Sequence, residues 1–138
     1  MKLEHLNLVV HNIETSLVFY KAAFPHWTIR AKGSGAWNGV QRNWIHFGDE
    51  QSYLALNDNG LDKNRVLEGY QIGLAHFAFV VTNLKSVITR LSNAGFTIAD
   101  EGAKNAFRKN VYYIDPDGFE IEFVEYLSDL PYERNLND

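Results

Sequence analysis

Apolar positions along the chain fall into two series that repeat the same order of elements. From residue 3 to 10 the sequence is apolar and β-branched, so an extended strand would place Leu6, Leu8 and Val10 on one face and His5, Asn7 and Val9 on the other. Asn12 then stands at a cap position, and Ile13, Leu17, Tyr20 and Phe24 recur at helical spacing until Pro25 stops the helix. Shorter strands are predicted over about 28–32, 41–47 and 52–57. The order then returns. A strand is predicted over 77–81, a cap at Asn83, and a helical stripe of Leu84, Val87, Ile88 and Leu91 that Gly95 closes. Strands over 97–99, 110–114 and 119–125 follow, and "GDEQ" and "DPDG" read as hairpin-type turns.

These series are copies of one unit. Laying His5 on His76 also superposes Val9 and Val10 on Val80 and Val81, Asn12 on Asn83, and Ile13 on Leu84. Laying Asn43 on Asn110 brings 42–56 onto 109–123 with the turns in register. The polar, turn-rich stretch 57–73 connects the copies. The expected fold is α+β: two tandem βαβββ repeats forming a cupped mixed β-sheet with helices outside. It makes a single domain over 1–138, with halves at about 1–60 and 72–126 and a C-terminal tail over 127–138. Tyr126, Leu130 and Tyr132 are spaced through polar residues there, as in a tail that covers a sheet edge or a partner, or lies irregular on the surface.

Composition narrows the chemistry. A chain of 138 residues can bury a core without staples. It has no cysteine, so any bound metal must be held by His, Asp or Glu. The net charge of −4, with no Lys/Arg cluster, argues against nucleic acid. No apolar run reaches membrane-spanning length and the first residues do not read as a leader, so a soluble cytoplasmic protein is expected. Aromatic residues make up 14%, Trp27, Trp37 and Trp44 among them, which suits a packed β-rich core or an aromatic-walled pocket.

Strand alternation puts His5 and His76 on the face that the helices leave open, and does the same for Glu120 and Glu122 in "FEIEFVE". A single strand histidine is ordinarily structural, and a single alternating glutamate ordinarily faces water. Together, at equivalent places in a repeat, they mean more. A carboxylate enclosed in a hollow needs a compensating cation, and a divalent ion held by two imidazoles and one carboxylate keeps positions open for water or substrate.

The stretches "EHLNLVV", "IETSLVFY" and "AHFAFVV", and above all "YIDPDGFEIEF", resemble the vicinal oxygen chelate superfamily, which includes glyoxalase I, fosfomycin-resistance proteins, extradiol dioxygenases and bleomycin-binding proteins. The last stretch is similar to the family's DPDG-x-x-x-E ending. The resemblance implies metal ligands at His5, His76 and Glu122, with Glu120 the lesser carboxylate. It implies a divalent ion (Zn, Ni, Mn, Co or Fe(II)) that chelates a small-molecule substrate through vicinal oxygens for a lyase or isomerase step. An Fe(II) extradiol-type dioxygenase and a metal-free binder of planar drugs are the alternatives. A homodimer is implied, with the site in one chain or shared between two. Glyoxalase I has a fourth ligand, usually glutamate, where this chain has Ala55. Fosfomycin-resistance proteins have a basic group beyond the last ligand, where this chain has Glu125 and Asp129. His46, Tyr53, Tyr112 and Tyr113 are candidates for acid–base work, though core or rim is their default place. His11 and His26 read as capping or exposed, and Arg42, Arg108 and Lys109 as strand-end charges that could meet a substrate carboxylate.

Overall fold

The computed structural model describes residues 1–136; Asn137 and Asp138, the end of the predicted tail, lie outside the described residues. The chain divides into two compact units, Met1–Lys63 and Asn64–Asp138. The first contains β1 (His5–Val9), α1 (Ile13–Ala23), β2 (Thr28–Trp37), β3 (Val40–Gly48) and β4 (Tyr53–Asn57). The second contains β5 (Phe77–Val80), α2 (Leu84–Asn93), β6 (Asp100–Glu101), β7 (Arg108–Ile114), β8 (Glu120–Tyr126) and the short α3 (Pro131–Arg134). The protein is therefore α+β with tandem βαβββ repeats. Its strands form two open four-stranded mixed sheets, one to each unit, in the orders β1-β4-β3-β2 and β5-β8-β7-β6.

Each sheet has one parallel pair, β1–β4 or β5–β8, because the helix carries the chain back over the sheet; the remaining pairs are antiparallel. Asn12 caps α1 by accepting from the Thr15 N–H at 2.9 Å, and Asn83 caps α2 by accepting from Ser86 N–H at 3.0 Å. The alternation read in β1 holds: Leu8 and Val10 are buried while His5, Asn7 and Val9 are exposed. In the first unit Leu8, Val10, Phe47, Leu54 and Leu56 make a core with Leu17, Phe19 and Tyr20. In the second unit Phe77, Val111, Tyr113, Ile121 and Phe123 do the same with Leu84, Val87 and Leu91. Among the described residues no helix is long and apolar enough to cross a membrane.

Register decides which side chains reach the open face. Asn7 lies opposite Ala55 and Ala78 opposite Glu122, so first and last strands of the repeats correspond as the sequence predicts. The third strands do not. Trp44 lies opposite Asn57, whereas Asn110 lies opposite Val124, the counterpart of Asn57. Asn110 thus corresponds to Trp44 and not to Asn43, because the second hairpin turn is a residue longer than the first. A slip of one residue moves a side chain to the opposite face of a sheet.

Two strand predictions also change. The strand expected over 28–32 extends to Trp37, through glycines that sequence preference disfavours, and turns at Asn38-Gly39, both with positive φ (49° and 79°), as a two-residue hairpin requires. The strand expected over 97–99 is replaced by Asp100–Glu101. The described part of the tail lies against its own unit. Leu127 N–H donates to Phe107 O at 2.8 Å, Arg108 Nη1 donates to Arg134 O at 3.1 Å, and the Arg134 guanidinium sits 4.7 Å from the Tyr126 ring centre.

Candidate functional site

In the second unit β5 and β8 lie side by side, which brings His76, just ahead of β5, against the carboxylates of β8. His76 Nε2 is 3.4 Å from Glu122 Oε2, and its Nδ1 is 3.8 Å from Glu120 Oε2. Glu122 is the more enclosed carboxylate, with 14% of its side chain exposed against 26% for Glu120. Its other oxygen accepts from Asn110 Nδ2 at 2.7 Å, so one oxygen is anchored and the second faces the imidazole. Asn110 can lie there because Gly102 has no side chain; a Cβ on residue 102 would collide with the Asn110 amide. The same amide donates to Tyr112 Oη at 3.3 Å, and the Tyr112 ring meets His76 edge-on at 5.5 Å. Burial, and then the charge of Glu122, raise the Tyr112 pKa, so its phenol remains protonated at neutral pH.

In the first unit the equivalent histidine has rings for neighbours. His5 stacks on Tyr53 at 4.6 Å with an interplanar angle of 16°, and Tyr53 stacks on His46 at 4.5 Å. Trp44 lies 5.0 Å from His46. His5 Nδ1 is 2.9 Å from Glu4 Oε2; donation to that carboxylate leaves the Nε2 lone pair free for an ion. Desolvation, and then the charges of His5 and Arg30, lower the His46 pKa, so this imidazole is neutral at pH 7. Ala55 is buried opposite His46 and contributes no polar group.

The comparisons with known proteins agree with this architecture. The Glyoxalase/Bleomycin resistance protein/Dioxygenase superfamily model matches residues 2–123. The chain belongs to that superfamily. It is 29% identical, over 129 residues and 91% of each chain, to the lactoylglutathione lyases of Neisseria meningitidis serogroups A and B. A glyoxalase family protein from Bacillus cereus has the same fold, with a TM-score of 0.74 and 14% identity over 93% of this chain and 95% of that one. So does the fosfomycin resistance protein FosX from Listeria monocytogenes, solved with Mn(II) and sulfate, with a TM-score of 0.66 and 16% identity over 96% of each chain.

Against this superfamily background each candidate residue has a definite place. His76 and Glu122 are adjacent; His5 lies in the other unit, and among the described residues no three His, Asp or Glu side chains form a metal-ligand group. Donor chemistry nevertheless fits an ion at the second-unit pair. A separation of 3.4 Å is long for a hydrogen bond, but it matches two ligands each about 2.1 Å from a tetrahedral ion. Tyr53, His46 and Tyr112 are on open faces. Tyr113 is not: it is buried in the core, edge-on to Phe123 at 6.1 Å, where burial raises its pKa. The one-residue register difference is the cause, since Tyr112 and not Tyr113 is the counterpart of His46. Arg42 is engaged by Asn57 Oδ1 at 2.8 Å and Gly35 O at 2.9 Å, Arg108 by the tail, and Lys109 is exposed. His11 and His26 are exposed, as expected. Sequence reading passed over Asn110, Glu4, Gly102 and Arg30. Alternation alone would have found Asn110, two residues before Tyr112 on the face of Glu122.

Proposed function

We propose that the protein is a divalent-metal-dependent enzyme of the glyoxalase type, acting on a small substrate that presents vicinal oxygens, in a lyase or isomerase step. The observation that carries this reading is the His76–Glu122 pair, with one carboxylate oxygen anchored by Asn110 and the other facing an imidazole nitrogen. Lactoylglutathione lyases at 29% identity support the reaction class. His76 and Glu122, together with His5 as the first repeat's imidazole, would hold the ion. When bound, the ion supplies Lewis acidity to the substrate oxygens.

The chain's own residues have distinct tasks in this reading. Asn110 fixes the Glu122 carboxylate, Glu4 orients the His5 ring, and Tyr112 walls the imidazole of His76 with a protonated phenol. Because position 55 is alanine, no carboxylate is available there to move a proton. His46 lies opposite that gap with a neutral ring, and we assign proton transfer to it.

The test is metal binding by reconstituted protein, measured for Zn, Ni, Mn, Co and Fe(II), in wild type and in His5→Ala, His76→Ala and Glu122→Ala. Stoichiometric binding is expected in wild type. Each variant should lose more affinity than the roughly 100-fold that removal of an outer-shell partner can cost. Wild-type protein that binds none of these ions refutes the reading. A screen of vicinal-oxygen substrates at fixed metal then identifies the reaction.

A further inference from the structure

Among the described residues of the first unit's open face, Arg30 is a cation with no carboxylate in ion-pair range. It sits at the irregularity where pairing between β2 and β3 shifts from Ile29 to Ala31. Its guanidinium lies 4.7 Å from the centre of the Tyr53 ring, which also stacks with His5 and His46. Arg30 also lines a cleft of about 450 Å³ with His26, Thr28, Gly48, Asp49 and Glu50.

The carboxylate in that cleft with the most hydrogen bonds is already committed. Asp49 Oδ1 accepts from the backbone N–H groups of Gln51 and Ser52 at 2.8 and 2.9 Å, and Oδ2 accepts from Trp27 Nε1 at 3.2 Å. Those bonds, and to a smaller extent the Arg30 charge, hold the Asp49 carboxyl below the usual range. Arg42, the other arginine of this sheet, is held by hydrogen bonds to Asn57 and Gly35 and lies over the Trp37 ring. Stacking on a ring limits the rotamers of a guanidinium while leaving its N–H edge unpaired, which is an arrangement suited to receive a planar anion.

The geometry points to a carboxylate subsite at Arg30, stacked on Tyr53, that binds an anionic group on the substrate distal to the oxygens that would chelate the ion. It rests on the metal reading only for where the substrate's other end is held. His5 and Arg30 both lie against the Tyr53 ring, and the substrate class is an acid with a chelating oxygen pair at one end and a carboxylate at the other.

Calorimetric titration of Mn(II)-loaded protein with α-hydroxyglutarate and with α-hydroxyvalerate tests this, because the two share a carbon skeleton and a chelating end and differ only in the distal carboxylate. Wild type is expected to favour α-hydroxyglutarate by about tenfold, as a charge-assisted contact would give. Arg30→Gln should bring the two ligands to parity with Mn(II) affinity unchanged, and Arg30→Lys should keep part of the preference. No preference in wild type, or an undiminished preference in Arg30→Gln, overturns the subsite. If the protein binds no metal, the metal reading fails by itself. Titration of metal-free protein with glutarate then decides the subsite: binding that Arg30→Gln abolishes upholds it, and absent or Arg30-independent binding overturns it.

Discussion

On the helix-facing sides the two units are chemically alike, and on the open sides they are opposites. Around His5 stand Tyr53, His46, Trp44 and Arg30; around His76 stand Glu120, Glu122, Tyr112 and Asn110. Strand pairing makes the first three matches one to one: Tyr53 corresponds to Glu120, His46 to Tyr112 and Trp44 to Asn110, with Ala55 corresponding to Glu122. A histidine beside a carboxylate and a histidine inside an aromatic stack need different supports. His76 has β8 oxygens near both ring nitrogens, while His5 takes its carboxylate from Glu4, its own neighbour in sequence. Core packing fixes the duplicated scaffold, and the open face of each unit is free to diverge, here into an acidic one and an aromatic, cationic one.

The largest effects should come from the sides that are alike. Phe47 in the first unit and Phe123 in the second are both essentially inaccessible to water. Phe47→Ala and Phe123→Ala should each cost roughly 3–5 kcal/mol, from lost burial plus the cavity left behind. Urea unfolding measures this in two ways, because all three tryptophans are in the first unit while far-UV dichroism reports both. Phe47→Ala should move the tryptophan transition. Phe123→Ala should move the dichroism transition, and a tryptophan transition left in place would mark the units as separately unfolding. A cost near zero for either would contradict its core position.

An intermediate effect should come from the opposite faces. Asn110→Ala removes the donor that anchors Glu122 without touching a proposed ligand, so metal affinity should fall by about 10- to 100-fold. Trp44→Ala, at the corresponding position, should leave metal affinity within about twofold, because Trp44 touches His46 and no carboxylate. Equal losses in the two variants would mean that the acidic and aromatic faces do not divide the work as described.

The repeat, both caps and the face of His5 were legible because they depend on short-range periodicity: alternation in β1 and helical spacing after Asn12 and Asn83. What escaped depends on partners far away in sequence. β2 runs through Gly33 and Gly35 because β3 pairs with it along its length, overriding local preference. Tyr113 was a plausible site residue only while the two hairpin turns were taken as equal; the extra residue after Ile114 moves it into the core and exposes Tyr112. Asn110 over Gly102, just past β6, and Arg30 over Tyr53 are contacts between segments distant in sequence, with no local signature.

The smallest expected difference lies at the helix starts, which share an asparagine cap followed by an aliphatic residue. Asn12 is the side-chain cap of α1, assisted by Glu14 in the first turn. Asn83 has no acidic residue in its first turn, yet Leu84 N–H, the first of α2, donates to Glu125 Oε2 at 2.9 Å, a carboxylate supplied by β8. That contact satisfies a second orphan donor and places a negative charge at the positive end of the helix dipole. Asn12→Ala should therefore cost about 1 kcal/mol, and Asn83→Ala less while Glu125 remains. In Glu125→Gln the cost of Asn83→Ala should rise toward that of Asn12→Ala. A double-mutant cycle on urea midpoints reads this directly: zero coupling between positions 83 and 125 would show that the β8 carboxylate does not back up the Asn83 cap.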